Sequence, residues 1–300
     1  MASAWAKSSE AARTTLEEAA DVLGFDLPAL MAGGPAEELN DTHNQQPALL
    51  AASVAILRAA RGRGPRDRGL NGHGQEFLPD ADVVAGHSLG EFSALVAAGA
   101  LDYPTALRTV RERGRLMKLA GQRQPGSMAA VLGLADEQVG AICAEIPGVQ
   151  VANYNAPGQV VISGTAAGVE TAGQALRAAG ARRIMALPIT IAAHSELMRS
   201  VADEWSAAVS AAGLRDATLP VVANLSAAPI MAAADLDQEL TGQLTGAVRW
   251  TDSVHAMIGL GVTTFYEVGP GTVLTGLVKR ILADAPVPPE LHSLAEPGTD

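Results

Sequence analysis

Cysteine is nearly missing from this sequence: Cys143 is the single thiol in 300 residues, which excludes a disulfide framework and a multi-thiolate metal site. The segment around it, AICAEI, reads as helix with Cys143 as a small buried hydrophobe. Aromatic residues are also scarce, at 3%, and with abundant Ala and Gly this favours closely packed helices. No run of about 18 apolar residues is available to span a bilayer. The first residues lack the basic, apolar and cleavage-site order of a signal peptide. The expected location is therefore the cytoplasm, with no membrane partner. Basic charge is in short supply too, 21 Lys and Arg against 32 Asp and Glu, for a net charge of −11. The densest basic cluster, Arg111, Arg113, Arg115 and Lys118, is interrupted by Glu112 and Met117, so no nucleic-acid footprint is expected.

What is present is apolar bulk. At 48% hydrophobic residues the chain can build a large core, as one long domain or two ordinary ones. Residues 8 to 23 form an Ala/Glu-rich helical stretch, and a second helical run is expected from Pro47 to about Ala60. The polar connection between them ends in NDTHNQQP, whose side chains suit a turn or a cleft lining. Residues 61 to 80 are Gly/Arg-rich and non-periodic, the pattern of a flexible surface loop. Then ADVVAGHSLGEFSALVAAGAL gives a short apolar strand, a glycine-flanked turn and a helix from near Leu89. Another helix follows from Tyr103 to about Ala120, with Pro104 tolerated in its first turn.

From Met128 to Pro188 the pattern becomes strand, helix, strand, strand, helix, strand. The strands are MAAVLG, VQVANYN, QVVISG and RRIMALP, with helices at 136 to 146 and 167 to 179. This is the ferredoxin-like order, expected as a small inserted domain. A helix at 196 to 212, the strand LPVVANL, two more helices and the strand TTFYEVG resume a larger α/β pattern, and the tail from Ala285 is expected to be mostly extended.

Gly86-His87-Ser88-Leu89-Gly90 matches G-x-S-x-G between a strand and a helix, the context in which that pentapeptide carries meaning. The glycines permit a crowded bend that presents Ser88 at a helix N-terminus, where the Leu89 backbone N–H becomes an oxyanion donor. Ser88 needs a base, because a free hydroxyl is a poor nucleophile at neutral pH. His194 is the leading candidate, since AAHSELM follows a strand and opens a helix; on residues alone it stands equally as base or as an ordinary histidine. His87, adjacent to Ser88, reads as a packing residue. His43, His73, His255 and His292 carry no constellation, and none of the histidines has paired ligand spacing for a metal. The partner that orients His194 stays open among Asp252, Glu267 and a main-chain or amide carbonyl. Arg113 lies 113 − 88 = 25 residues after Ser88, and its guanidinium can hold a carboxylate through two hydrogen bonds. Taken alone, however, a helical Arg among charges reads as a solvated-face residue.

The blocks LNDTHNQQPALLAAS, VAGHSLGEFSALVAAGALDYPTAL, VRERGRLM, GSMAAVLGL, VANYNAPGQVVISG, AAHSELM, VRWTDSV and FYEVGPGTVLTGLVKRI run nearly end to end. Together they resemble the malonyl-CoA:acyl-carrier-protein transacylases and the acyltransferase domains of polyketide synthases. The resemblance implies an α/β hydrolase-like core with a mostly parallel sheet, from residues 1–125 and 190–300, and a ferredoxin-like subdomain at 126–189. It implies Ser88 as the acylated serine, His194 as its base and Arg113 as the grip on the malonyl carboxylate. Leu89 would supply one oxyanion N–H and Gln243 the backbone carbonyl that orients the histidine, with Asn153 and Asn155 near the cleft. Malonyl-CoA and acyl-carrier protein would be the partners of a monomer that needs no cofactor, since CoA is part of the substrate and phosphopantetheine is carried by the acceptor. The alternatives are an acyl-thioester hydrolase on the same scaffold and a non-catalytic carrier-binding module.

Two departures from the family pattern stand out. Members open with a buried strand and a Gly-Gln-Gly loop before a Gly-Met pair, whereas this sequence starts at the position of that Met; an upstream strand and loop are the expectation. Many malonyl-specific members carry Phe before the histidine, where Ala193 stands here; the lost bulk could admit an alpha-methyl group, a difference worth only about 1–3 kcal/mol, and malonyl stays the expected acyl group.

Overall fold

The computed structural model describes residues 1–61 and 80–298. The loop expected at 61 to 80 falls almost wholly outside the described residues, and His73 with it. The chain opens with helices α1 (Ser3–Ser8), α2 (Glu10–Leu23), α3 (Leu27–Gly33), α4 (Ala36–Asn40) and α5 (Thr42–Arg61). The supposed polar connection is thus partly helical. Ser9 caps α2 by accepting from the Ala12 N–H, and Asp26 caps α3 by accepting from Ala29. Helix α5 begins five residues before the expected Pro47 start. The Asp41 side chain accepts from the His43 N–H, and its carbonyl accepts from Asn44 and Gln45. Pro47 is tolerated inside the helix because the turn before it is seated on the neighbouring helix, a tertiary effect that local signals do not carry.

Next come β1 (Val84–Ala85), α6 (Gly90–Ala97) and α7 (Tyr103–Arg123). Asp102 caps α7 through the Thr105 N–H at 2.9 Å. A Cβ on Gly114 of α7 would meet the Thr42 carbonyl oxygen at 2.4 Å. This glycine therefore permits the close crossing that carries the α5 N-terminus over α7.

The segment that follows contains β2 (Gly126–Leu132), α8 (Asp136–Ala144), β3 (Val149–Ala156), β4 (Gln159–Thr165), α9 (Ala166–Ala178) and β5 (Arg183–Ala186). Its four strands form an antiparallel sheet in the order β3-β4-β2-β5. One face is closed by a cluster that includes Val131, Val139, Cys143, Ile162 and Leu176. Cys143 is buried there, as expected, and burial pushes its thiol up to about 11.

A 3-10 turn (Glu196–Val201) leads into α10 (Ala202–Ala212), then β6 (Val221–Val222), β7 (Pro229–Ile230), α11 (Ala233–Gln243), α12 (Trp250–Gly259), β8 (Thr264–Glu267), α13 (Val273–Ile281) and β9 (Glu290–Ser293). The core strands are shorter than their apolar runs, and the sheet differs from the expected mostly parallel one. β1 pairs parallel with β6, but β7 joins β6 antiparallel, and β8 with β9 forms a separate parallel pair. The core is α/β with mixed sheets. Its bulk is helical, centred on Ile56, Phe92, Leu107, Leu116 and Trp205. Helix α13 was not separately read in the sequence, and part of the extended tail is β9. No helix among the described residues is long and apolar enough to cross a membrane.

Candidate active site

The strand-to-helix bend after β1 is built around Gly86. A Cβ there would lie 2.0 Å from the carbonyl carbon of Gly90, so only glycine lets the backbone fold this tightly over the start of α6. Ser88 sits at the apex with φ 51°, in the left-handed region that costs a side-chain-bearing residue about 1–2 kcal/mol. Asn224, just past β6, braces the bend: its Oδ1 accepts from the Ser88 N–H at 2.7 Å and its Nδ2 donates to the Gly86 carbonyl at 2.7 Å. Because β1 and β6 run parallel, their carboxyl ends deliver Ser88 and Asn224 to the same edge, the usual location of sites in α/β sheets. Among the described residues the Leu89 N–H meets no acceptor.

His194 is carried by the loop between β5 and the 3-10 turn. It also has a left-handed backbone, φ 56°, in a loop held by the Ser195 hydroxyl, which donates to the Ala192 carbonyl at 2.7 Å. Gln150 of β3 ties this loop down, donating from Nε2 to the carbonyls of His194 (3.2 Å) and Thr245 (3.0 Å) and accepting from the Glu196 N–H at 3.0 Å. The imidazole Nε2 lies 2.8 Å from Ser88 Oγ, and Nδ1 lies 2.8 Å from the Gln243 carbonyl and 3.2 Å from that of Gly246. A carbonyl can only accept, so Nδ1 carries the proton and Nε2 presents its lone pair to the serine hydroxyl. Neither carboxylate proposed as the histidine's partner is near it in this network. Asp252 pairs with Arg249 at 2.8 Å, and Glu267 accepts from the N–H groups of Leu274 and Thr275 at the start of α13.

Arg113 is not on a solvated face. It is 2% exposed, because the face of α7 that carries it turns inward against α5 and α11. Its Nη1 donates to Gln46 Oε1 at 2.9 Å, and its Nη2 donates to Gln243 Oε1 at 2.7 Å and to Ser88 Oγ at 3.2 Å. Every one of these acceptors is neutral, and no salt bridge among the described residues involves Arg113. Burial lowers its pKa to about 10, which leaves the guanidinium charged at neutral pH. Burial first, and the Arg113 charge second, push His194 down to about 3. The imidazole is thus neutral, with the Nε2 lone pair free toward Ser88 Oγ.

Four of the residues singled out from sequence therefore converge: Ser88, His194, Arg113 and Gln243. Asn155 lies beside them, with its Oδ1 2.8 Å from His87 Nε2, and the His87 ring packs 5.6 Å from that of Trp250. Asn153 is buried on β3 and bridges the backbone of Val248. Ala193 is partly buried where the core meets the small sheet. His43 sits on α5 and His292 stacks on Tyr266 at 4.7 Å, both outside the hydrogen bonds of Ser88 and His194. Sequence reasoning did not single out Gln46, Glu91, Asn224 or Gln150. Gln46 lay within the stretch read as a cleft lining, and Asn224 follows an apolar strand, a position that parallel sheets turn into a site.

The family model of the acyl transferase domain matches residues 1–292. Over 275 residues the chain is 42% identical to the malonyl CoA-acyl carrier protein transacylase of Bacillus subtilis (strain 168), with 90% of this chain and 82% of that protein aligned. An acyl carrier protein S-malonyltransferase from Vibrio cholerae O1 biovar eltor superposes with a TM-score of 0.91 at 38% identity, covering 100% of this chain and 93% of that one. A malonyl-transacylase solved in complex with a type II polyketide synthase acyl-carrier protein gives 0.87 at 39% identity, covering 98% and 90%. The chain belongs to the malonyl-CoA:acyl-carrier-protein transacylase family.

Proposed function

We propose that the chain moves malonyl from CoA to the phosphopantetheine thiol of acyl-carrier protein by way of an ester on Ser88. The observation that carries this reading is the buried guanidinium of Arg113, which reaches Ser88 Oγ at 3.2 Å and has only neutral acceptors around it. A buried cation without a counter-charge is costly. An acyl group that brings its own carboxylate supplies that charge and is drawn to the nucleophile with its thioester carbonyl in reach.

His194 Nε2 takes the Ser88 proton as Oγ attacks the thioester carbon, while Nδ1–H stays held by the Gln243 and Gly246 carbonyls. The developing oxyanion is met by the Leu89 N–H. Collapse breaks the carbon–sulfur bond, the imidazolium returns its proton to the departing CoA sulfur, and malonyl remains as the Ser88 ester. The carrier thiol then attacks that ester, with His194 taking the thiol proton and passing it to Ser88 Oγ as the serine leaves. Arg113 holds the malonyl carboxylate through both halves. The small side chain of Ala193 leaves room for methylmalonyl beside malonyl, and Asn153 and Asn155 border the cleft.

The segment 126–189 is read as a ferredoxin-like subdomain inserted into a core of 1–125 and 190–300. The support is its β-α-β-β-α-β order with the first and third strands central and antiparallel. Brief exposure to malonyl-CoA is expected to leave one malonyl on Ser88, detected by peptide mass, and acyl-carrier protein is expected to remove it faster than water does. The same adduct on Ser88→Ala, or discharge to water alone, overturns the assignment.

A further inference from the structure

Glu91 lies in the first turn of α6, is 1% exposed, and has no role in the proton transfers above. Its Oε1 accepts from the Asn224 N–H at 3.0 Å, and its Oε2 accepts from Gln243 Nε2. Each partner in turn holds part of the site. Asn224 braces the Ser88 bend through Oδ1 and Nδ2. The same Gln243 amide that donates to Glu91 also donates to the Ser88 carbonyl at 3.1 Å and turns its Oε1 to Arg113 Nη2 at 2.7 Å.

We infer that Glu91 is a positioning residue for acyl-group selectivity: by accepting from Gln243 it keeps the amide oxygen turned to Arg113, and so aims the guanidinium at the substrate carboxylate. The inference rests on the reading of Arg113 as the carboxylate grip. The chemistry calls for a carboxyl group at this position, because both oxygens face N–H donors and each carboxyl oxygen can accept. A glutamine would direct its NH2 at either the Asn224 N–H or the Gln243 NH2. In the second case the Gln243 amide must turn, and a donor then faces Arg113. Burial first, and Glu239 second, push the Glu91 carboxyl up to about 8, so near neutral pH it acts on the site through its hydrogen bonds and gives Arg113 no full counter-charge. Glu239, the other carboxylate close enough to act on Glu91, is occupied by accepting from the Leu225 N–H at 2.7 Å.

The test is Glu91→Gln in the full chain, with kcat/KM for Ser88 acylation measured for malonyl-CoA and acetyl-CoA side by side. Weakening one hydrogen bond to a charged group is expected to lower the malonyl value about ten- to a hundredfold, mainly through KM, with a much smaller fall for acetyl. In an Arg113→Ala background the same substitution is expected to leave the malonyl-to-acetyl ratio unchanged, since the group it aims is gone. Equal losses for the two acyl groups in Glu91→Gln, or a further change of ratio without Arg113, overturn the inference. Equal losses in Arg113→Ala alone overturn the reading of Arg113 instead. Gln243→Leu keeps the backbone carbonyl that holds His194 and cuts the link from Glu91 to Arg113. It reads the same relay if Glu91→Gln does not accumulate as folded protein, and equal losses there are equally decisive against it.

Discussion

Ser88 Oγ and His194 Nε2 lie 2.8 Å apart, and both residues hold left-handed backbone, φ 51° and 56°. Two side chains that must meet across 106 positions of sequence are each lifted out of their chain path by a conformation that costs stability. The surrounding hydrogen bonds from Asn224, Ser195 and Gln150 hold them there.

That strain is measurable. Ser88→Gly relieves the left-handed backbone and Ser88→Ala does not, so the glycine variant is expected to be about 1 kcal/mol more stable than the alanine variant, with neither able to form the acyl ester. Thermal unfolding of the two proteins side by side checks this, and equal melting temperatures would mean that the bend is not strained at Ser88.

Arg113→Ala is expected to lose about 1.5–3 kcal/mol of transition-state binding with malonyl-CoA, the range for a hydrogen bond to a charged group, and far less with acetyl-CoA, which has no carboxylate to lose. Rates for the two donors under matched conditions decide it. Parallel losses would make Arg113 a structural cation.

The depressed histidine predicts a pH response with a definite sign. With its pKa near 3 in the folded chain, against 6.5 for the unperturbed side chain, His194 stays neutral across a window in which the unfolded chain binds a proton. The unfolded state then holds more protons, and His194's contribution to stability falls as pH drops from about 6.5 toward 3. For activity, labelling of Ser88 by an uncharged fluorophosphonate should keep its rate from pH 8 to about 5. Arg113→Ala removes the second cause of the depression, so the acid limb of the labelling profile should move to higher pH. A limb that does not move would mean that burial alone sets the histidine's pKa.

The setting of Ser88 was readable from the chain because it is local. Gly86, Ser88 and Gly90 are near neighbours, and a strand-to-helix bend with no room for a Cβ at Gly86 is a property of that short stretch. The β3–β4 hairpin was readable for the same reason, since only Pro157 and Gly158 separate its paired strands, whereas β2 meets β4 and β5 across much longer stretches of chain. Its place after a strand made His194 the leading base candidate, while Arg113 and Gln243 came from family resemblance; an isolated Arg on a charged helix gave the opposite reading to the buried one observed.

Tertiary packing decided the rest. Helix α5 starts before Pro47 because Gly114 admits its first turn against α7, and that placement brings Gln46 to Arg113. The histidine's partner turned out to be the carbonyl of Gln243, a group that every residue possesses and that no side-chain pattern can announce. Asn224, Glu91 and Gln150 owe their roles to contacts over 136, 152 and 44 positions of sequence. Apolar periodicity and turn chemistry act over a few residues, and so they determined which segments became helix or strand and where Ser88 stands. Hydrogen-bond satisfaction of buried polar groups is settled only when distant segments have packed, and it determined which charge, which carbonyl and which amide surround Ser88.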